Sequence, residues 1–126
     1  MLVAPAGKHM TFDEAGRTAF NLDPPLWGVR PAADITFRSA ALRFGSRTVA
    51  VVLTGMGKDG ALGTKSVRLA GGPCFAQDEF TSVIYGMPRA AVELGGVEKV
   101  LPLGSIASAV ADAVATESRS GTCTYD

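Results

Sequence analysis

The stretch V-L-T-G-M-G-K-D-G-A-L-G, residues 52–63, decides how the chain is built. The β-branched run TVAVVLT (48–54) leads into it, and GALGTKSVRLAGG (60–72) leads out with helical spacing. A strand that is apolar almost throughout suits a parallel sheet covered on both faces. A glycine-rich turn from such a strand into a helix belongs at the carboxyl edge of the sheet, where α/β proteins carry their functional loops. Gly55, Gly57 and Gly60 spell G-x-G-x-x-G, so the turn has two readings. It binds a dinucleotide, or it aims Asp59 at something else.

Outward from this turn, the pattern alternates strand and helix, an α/β signature with a mainly parallel sheet and flanking helices in a Rossmann-like, three-layer arrangement. PCFAQD (73–78) and EKVLPL (98–103) read as strands. TSVIYGMPRAAVELGG (81–96) reads as one or two short helices, the second opened by Pro88. SIASAVADAVAT (105–116) is an amphipathic helix with Ile106, Val110 and Val114 on one face. Upstream, MLVAP (1–5) predicts a further strand and residues 9–23 a hairpin. PPLWGVRP (24–31) is a loop. Pro31 fits the first turn of a helix, Ile35 and Leu42 line one of its faces with the alanines between them, and Gly45 stops it. The domain then spans residues 1–116, and 117–126 form a polar tail.

With 126 residues the chain holds one domain and not two. Its zero formal net charge gives no reason to expect nucleic acid, and no run approaches the length of a membrane span. Cys74 lies in an apolar strand and reads as an inert buried thiol, whereas Cys123 reads as exposed. The two lie too far apart for a zinc pattern, and a single histidine, His9, rules out a two-histidine metal site.

For a dinucleotide speaks Asp78, 18 residues after Gly60, near the place of the ribose-binding acid. Against it stands Asp59, a carboxylate where the pyrophosphate would need positive potential. The unit also begins too late for a second mononucleotide half to follow. The simplest structural role for Asp59 is to cap the helix it precedes.

VAPAGKHM (3–10), RPAADITFRSAA (30–41), VVLTGMGKDGALG (51–63), AQDE (76–79) and YGMPRAAVELGGVEKVLPL (85–103) together resemble, in order, the C-terminal part of the CheB-type protein-glutamate methylesterases of bacterial chemotaxis. The resemblance implies a serine–histidine–aspartate triad that hydrolyses methyl esters of receptor glutamates and deamidates certain glutamines. It makes Asp59 the triad acid and puts the backbone N–H of Met56 by the oxyanion site. His9, Gly55 and Gly57 would line the site. It implies no cofactor and no metal, a cytoplasmic location, methylated chemoreceptors or related signalling proteins as partners, and a regulatory receiver domain as a further one.

The family's serine turn, of the type G-A-S-T-G-G, and its histidine do not occur in this chain, nor does any G-x-S-x-G. The chain thus reads as a catalytic domain truncated at the N-terminus and inactive alone. The alternatives are a non-catalytic interaction module and a half-domain completed by a partner chain. A triad rebuilt from His9, Asp59 and one of Ser39, Ser46, Ser66, Ser82 or Ser105 would need a strained serine turn, and none is legible.

Overall fold

β3 (Ala50–Val52), β4 (Cys74–Gln77) and β5 (Lys99–Leu101) form a parallel sheet in that spatial order. It is seen in a computed structural model that describes the backbone of residues 1–125 and the side chains of residues 1–116. Ahead of the sheet, β1 (His9–Phe12) and β2 (Thr18–Asn21) make an antiparallel hairpin. Four α-helices and a short 3-10 helix (Gly45–Arg47) complete the described part: α1 (Ala33–Phe44), α2 (Ala61–Leu69), α3 (Met87–Glu93) and α4 (Leu103–Tyr125).

Strand alternation assigns the two faces of the sheet. Ala50, Val52 and Cys74 face α1, α2 and α3, and build two small buried clusters with Val67, Ala61 and Ala91, closed by Phe37. Phe75 points the other way and lines a cleft with Ser105 and Ala109 of α4. α1 and α2 approach closely because α2 carries Gly63 at the crossing. A Cβ there would stand 2.6 Å from Cβ of Phe37 and 3.0 Å from the Asp34 main chain. Gly63→Ala is therefore expected to destabilise the fold by about 1–3 kcal/mol, read as a lower urea midpoint; an unchanged midpoint would show that the helices yield freely.

The hairpin is tied to α1 through side chains. Thr36 Oγ1 donates to the Met10 carbonyl at 2.6 Å, Ser39 Oγ accepts the Phe12 N–H at 2.8 Å, and the Phe12 and Phe44 rings meet edge to face at 5.3 Å.

Several expectations need correction. Residues 1–5 form no strand, and Met1, Leu2 and Val3 are exposed. An apolar run becomes a strand only where its N–H and C=O groups find a ladder, and among the described residues β3 is paired on one edge only, by β4. Pro31 precedes α1 rather than opening it, since the first capped N–H groups belong to Ala33 and Asp34. Leu42 is exposed; Ala41, one of the alanines of that face, does pack inward, with Phe37 in place of Leu42. Within 81–96 only Met87–Glu93 is helical, with Pro88 in the first turn. α4 does not stop at residue 116, because no glycine or proline interrupts it there. Ile106 of its apolar face is buried, but Val114 is half exposed. Cys123 lies outside the described side chains.

Cys74 is buried, with its Sγ 3.4 Å from the Thr64 carbonyl. Burial pushes its thiol from 9.0 up to about 11. A raised folded value favours the neutral thiol, so its contribution to stability is complete below pH 9.0 and is lost as pH rises towards 11. Urea midpoints on either side of that window should fall at the higher pH in the native chain and less in Cys74→Ala.

Candidate functional site

The turn 53–60 leaves the carboxyl end of β3 and is held from below. Gln77, buried at the end of β4, accepts the Thr54 N–H on Oε1 at 2.8 Å and donates through Nε2 to the Thr81 carbonyl at 2.8 Å. Asp78 Oδ1 accepts both the N–H and the hydroxyl of Thr81. Its carboxylate is thus engaged in a local turn and is not presented to a ribose.

The segment before α3 clamps the same turn. The Gly55 N–H donates to the Ile84 carbonyl at 3.1 Å, and the Gly55 carbonyl accepts the N–H groups of Gly86 and Met87 at 3.1 and 2.8 Å. Only glycine fits at 86: a Cβ would lie 2.7 Å from the Gly55 oxygen and 3.1 Å from the Gly57 nitrogen. T-G-M-G-K-D-G and Y-G-M-P-R-A-A are therefore two halves of one construction. Gly57 and Gly60, both at φ +98°, supply the left-handed steps that bring the chain round to Asp59. Met56 stands on the outside of the turn, 81% exposed, and among the described residues nothing accepts its backbone N–H.

Asp59 does not cap the helix it precedes. Gly60 is the N-cap of α2 and makes no side-chain bond there. The Asp59 carboxylate instead receives the N–H of Ala33 on Oδ2 at 2.6 Å and that of Asp34 on Oδ1 at 2.9 Å, at the start of α1. The positive end of the α1 dipole and two otherwise orphaned donors thus hold one carboxylate in one orientation. Each oxygen keeps a lone pair, which can accept an imidazole N–H. Beside Asp59 lies a pocket of about 300 Å³, lined in part by Ala4, Met10, Pro31 and Phe37.

His9 is fully buried and serves the same helix start one residue earlier, at Ala32. Its Nδ1 accepts the Ala32 N–H at 3.2 Å, so Nε2 carries the proton and donates to the Pro24 carbonyl at 3.0 Å. Both nitrogens are occupied by main chain, which leaves neither to relay a proton. The hydroxyls of Ser39, Ser66 and Ser82 bond to the carbonyls of Phe12, Leu62 and Asp78. None faces Asp59 in these contacts. The structure therefore brings Asp59, Gly55, Gly57 and Met56 together on one turn and sets His9 behind it as a brace for α1, while Ser39, Ser66 and Ser82 bond elsewhere.

Sequence reading missed Asp34 and Gln77, both buried and both holding this turn. An acid in a first helical turn signals only a favourable dipole interaction, and a glutamine at a strand end signals nothing.

Asp59 places a negative charge just before α2, and the Gly63 N–H in its first turn is already taken by Asp34, so the turn offers no phosphate cradle. NAD(H) and NADP(H) are accordingly expected to leave the melting temperature unchanged, whereas a ligand at 100 times its dissociation constant would add about 2.7 kcal/mol.

The family model described as CheB methylesterase matches residues 1–110. A protein-glutamate methylesterase/protein-glutamine glutaminase of Symbiobacterium thermophilum is 53% identical over 114 residues, covering 90% of this chain and 32% of that protein. The protein-glutamate methylesterase FrzG of Myxococcus xanthus is 46% identical over 108 residues, 86% of this chain and 32% of that protein. The crystal structure of the Thermotoga maritima CheB methylesterase catalytic domain superposes with a TM-score of 0.77 at 40% identity, over 82% of this chain and 56% of that one. The chain thus spans about a third of the length of the curated relatives it matches.

Proposed function

The chain belongs to the CheB methylesterase family, and from that premise we propose that it provides the acid and one oxyanion donor of a protein-glutamate methylesterase site whose serine and histidine lie outside these 126 residues. The observation that carries this reading is the Asp59 carboxylate, fixed by two N–H groups of α1 on a turn at the carboxyl end of a parallel strand. An acid so held suits the task of orienting a histidine and stabilising its cation.

The chemistry follows from those roles. The serine hydroxyl attacks the glutamate ester carbonyl while the histidine takes its proton; Asp59 steadies the resulting imidazolium. The carbonyl oxygen becomes an oxyanion, towards which the Met56 N–H donates. Collapse expels methanol, protonated by the histidine, and water then hydrolyses the acyl-enzyme by the same relay. For a glutamine side chain the same steps release ammonia. The proposed substrates are methylated chemoreceptors or related signalling proteins, met in the cytoplasm, with a receiver domain as the regulatory partner. Among the described residues no helix is long and apolar enough to cross a membrane.

The edge of β3 that is unpaired among the described residues, together with the exposed Leu53 and Met56 on the turn, favours completion by further polypeptide over a free-standing module. The test joins this chain in one polypeptide to the N-terminal part of the Thermotoga maritima catalytic domain. Methanol release from methylated receptor membranes is expected from the joined protein and not from the chain alone. Release by the chain alone, abolished in Asp59→Ala, would overturn the assignment, as would a folded but inactive joined protein.

A further inference from the structure

Asp34 is completely buried, yet it carries a carboxylate. Its Oδ1 accepts the N–H of Gly63, in the first turn of α2, at 2.7 Å, and its Oδ2 accepts the indole N–H of Trp27 at 2.7 Å. The two helix starts therefore exchange acids: Asp59, just before α2, serves α1, and Asp34, on α1, serves α2. The Asp34 main-chain N–H is itself one of the two donors to Asp59. Trp27 closes the circuit, because Lys58, the residue before Asp59, sits with Nζ 4.0 Å from the centroid of its ring. Trp27 reaches this position with φ +56°, a left-handed conformation uncommon for so large a residue, in the short bridge of Leu26 with Val29.

We infer that Asp34 and Trp27 are positioning residues for Asp59. The functional meaning rests on the reading of Asp59 as the triad acid. Asp34 cannot turn without abandoning either the α2 start or the indole, and a buried carboxylate oxygen left without a donor is costly. While both bonds hold, the first turns of α1 and α2 are locked in register, and with them the two N–H groups that aim Asp59. Trp27 bonds to the Asp34 side chain and not to Asp59, so its influence passes through Asp34 and through Lys58.

The test uses the full chain, labelled with ¹⁵N and ¹³C, and reads amide exchange together with the Asp59 carboxylate carbon resonance. Trp27→Phe keeps a smaller aromatic ring near Lys58 and removes the indole donor. It is expected to speed exchange at Ala33, Asp34 and Gly63 roughly tenfold, to shift the Asp59 carboxylate signal, and to leave Ala76 and Ala91 unchanged. Equal acceleration at all five amides would mean a loss of stability only, and unchanged exchange at Ala33 and Asp34 would mean no coupling; either overturns the inference. Should Trp27→Phe not fold, Lys58→Met is read instead: acceleration confined to the same three amides supports the inference, and its absence overturns it. Neither signal involves turnover, so a failure here and a failure of the catalytic reading are separate results.

Discussion

Asp59→Ala is expected to lower the unfolding free energy of this chain by about 2–4 kcal/mol, a large share of the roughly 5–15 kcal/mol that holds a domain together. Two charge-assisted bonds, at 2.6 and 2.9 Å, are lost together with the negative charge at the α1 N-terminus. The stranded N–H groups of Ala33 and Asp34 recover only part of this from water. The structure also sets the cost of asparagine at this position. A residue that capped its own helix through one oxygen would tolerate Asp59→Asn at little cost. Here both oxygens accept N–H groups, so an amide NH₂ must face one of the donors. Asp59→Asn should therefore cost about 1–3 kcal/mol, read as a fall in urea midpoint at constant slope. A loss within about 0.5 kcal/mol would mean that α1 is capped by other means.

In the joined, complete domain, Asp59→Asn is expected to reduce turnover by about 10⁴-fold, the scale seen when a triad acid becomes an amide. The amide can no longer fix the histidine tautomer or stabilise its cation, while the ester itself is bound by other groups. The loss should therefore fall on kcat, with KM little changed. Because the same substitution weakens the fold, the comparison belongs at a temperature where both proteins are fully folded. A fall of less than tenfold would make Asp59 a structural residue and leave the acid to be found elsewhere.

The strand–turn–helix around residues 48–72 was legible because an apolar β-branched run and a set of glycines are local signals with local causes. The hairpin from residue 9 was legible for the same reason, and the family motifs pointed to Asp59. What Asp59 touches was not legible. Capping preferences describe an acid and its own helix, whereas the acceptor for α1 comes from 26 residues further along the chain. That His9 is buried, with its two nitrogens serving Ala32 and Pro24, was not legible either. Leu42 has the character of an inward position, but α1 turns Phe37 to the sheet beside the expected Ala41. Residues 1–5 have the composition of a strand and lack a neighbour to pair with. In each case the pattern reports what a residue prefers, while tertiary partners decide what it does.

The most direct test is the proton spectrum of the joined domain at low temperature. A histidine N–H held by the Asp59 carboxylate gives a resonance well downfield of the amide region. The account predicts such a resonance in the complete protein, its absence from the isolated chain, and its loss in Asp59→Ala under conditions where that variant is folded. A downfield resonance that persists in Asp59→Ala, or none in an active complete domain, would contradict the role assigned to Asp59.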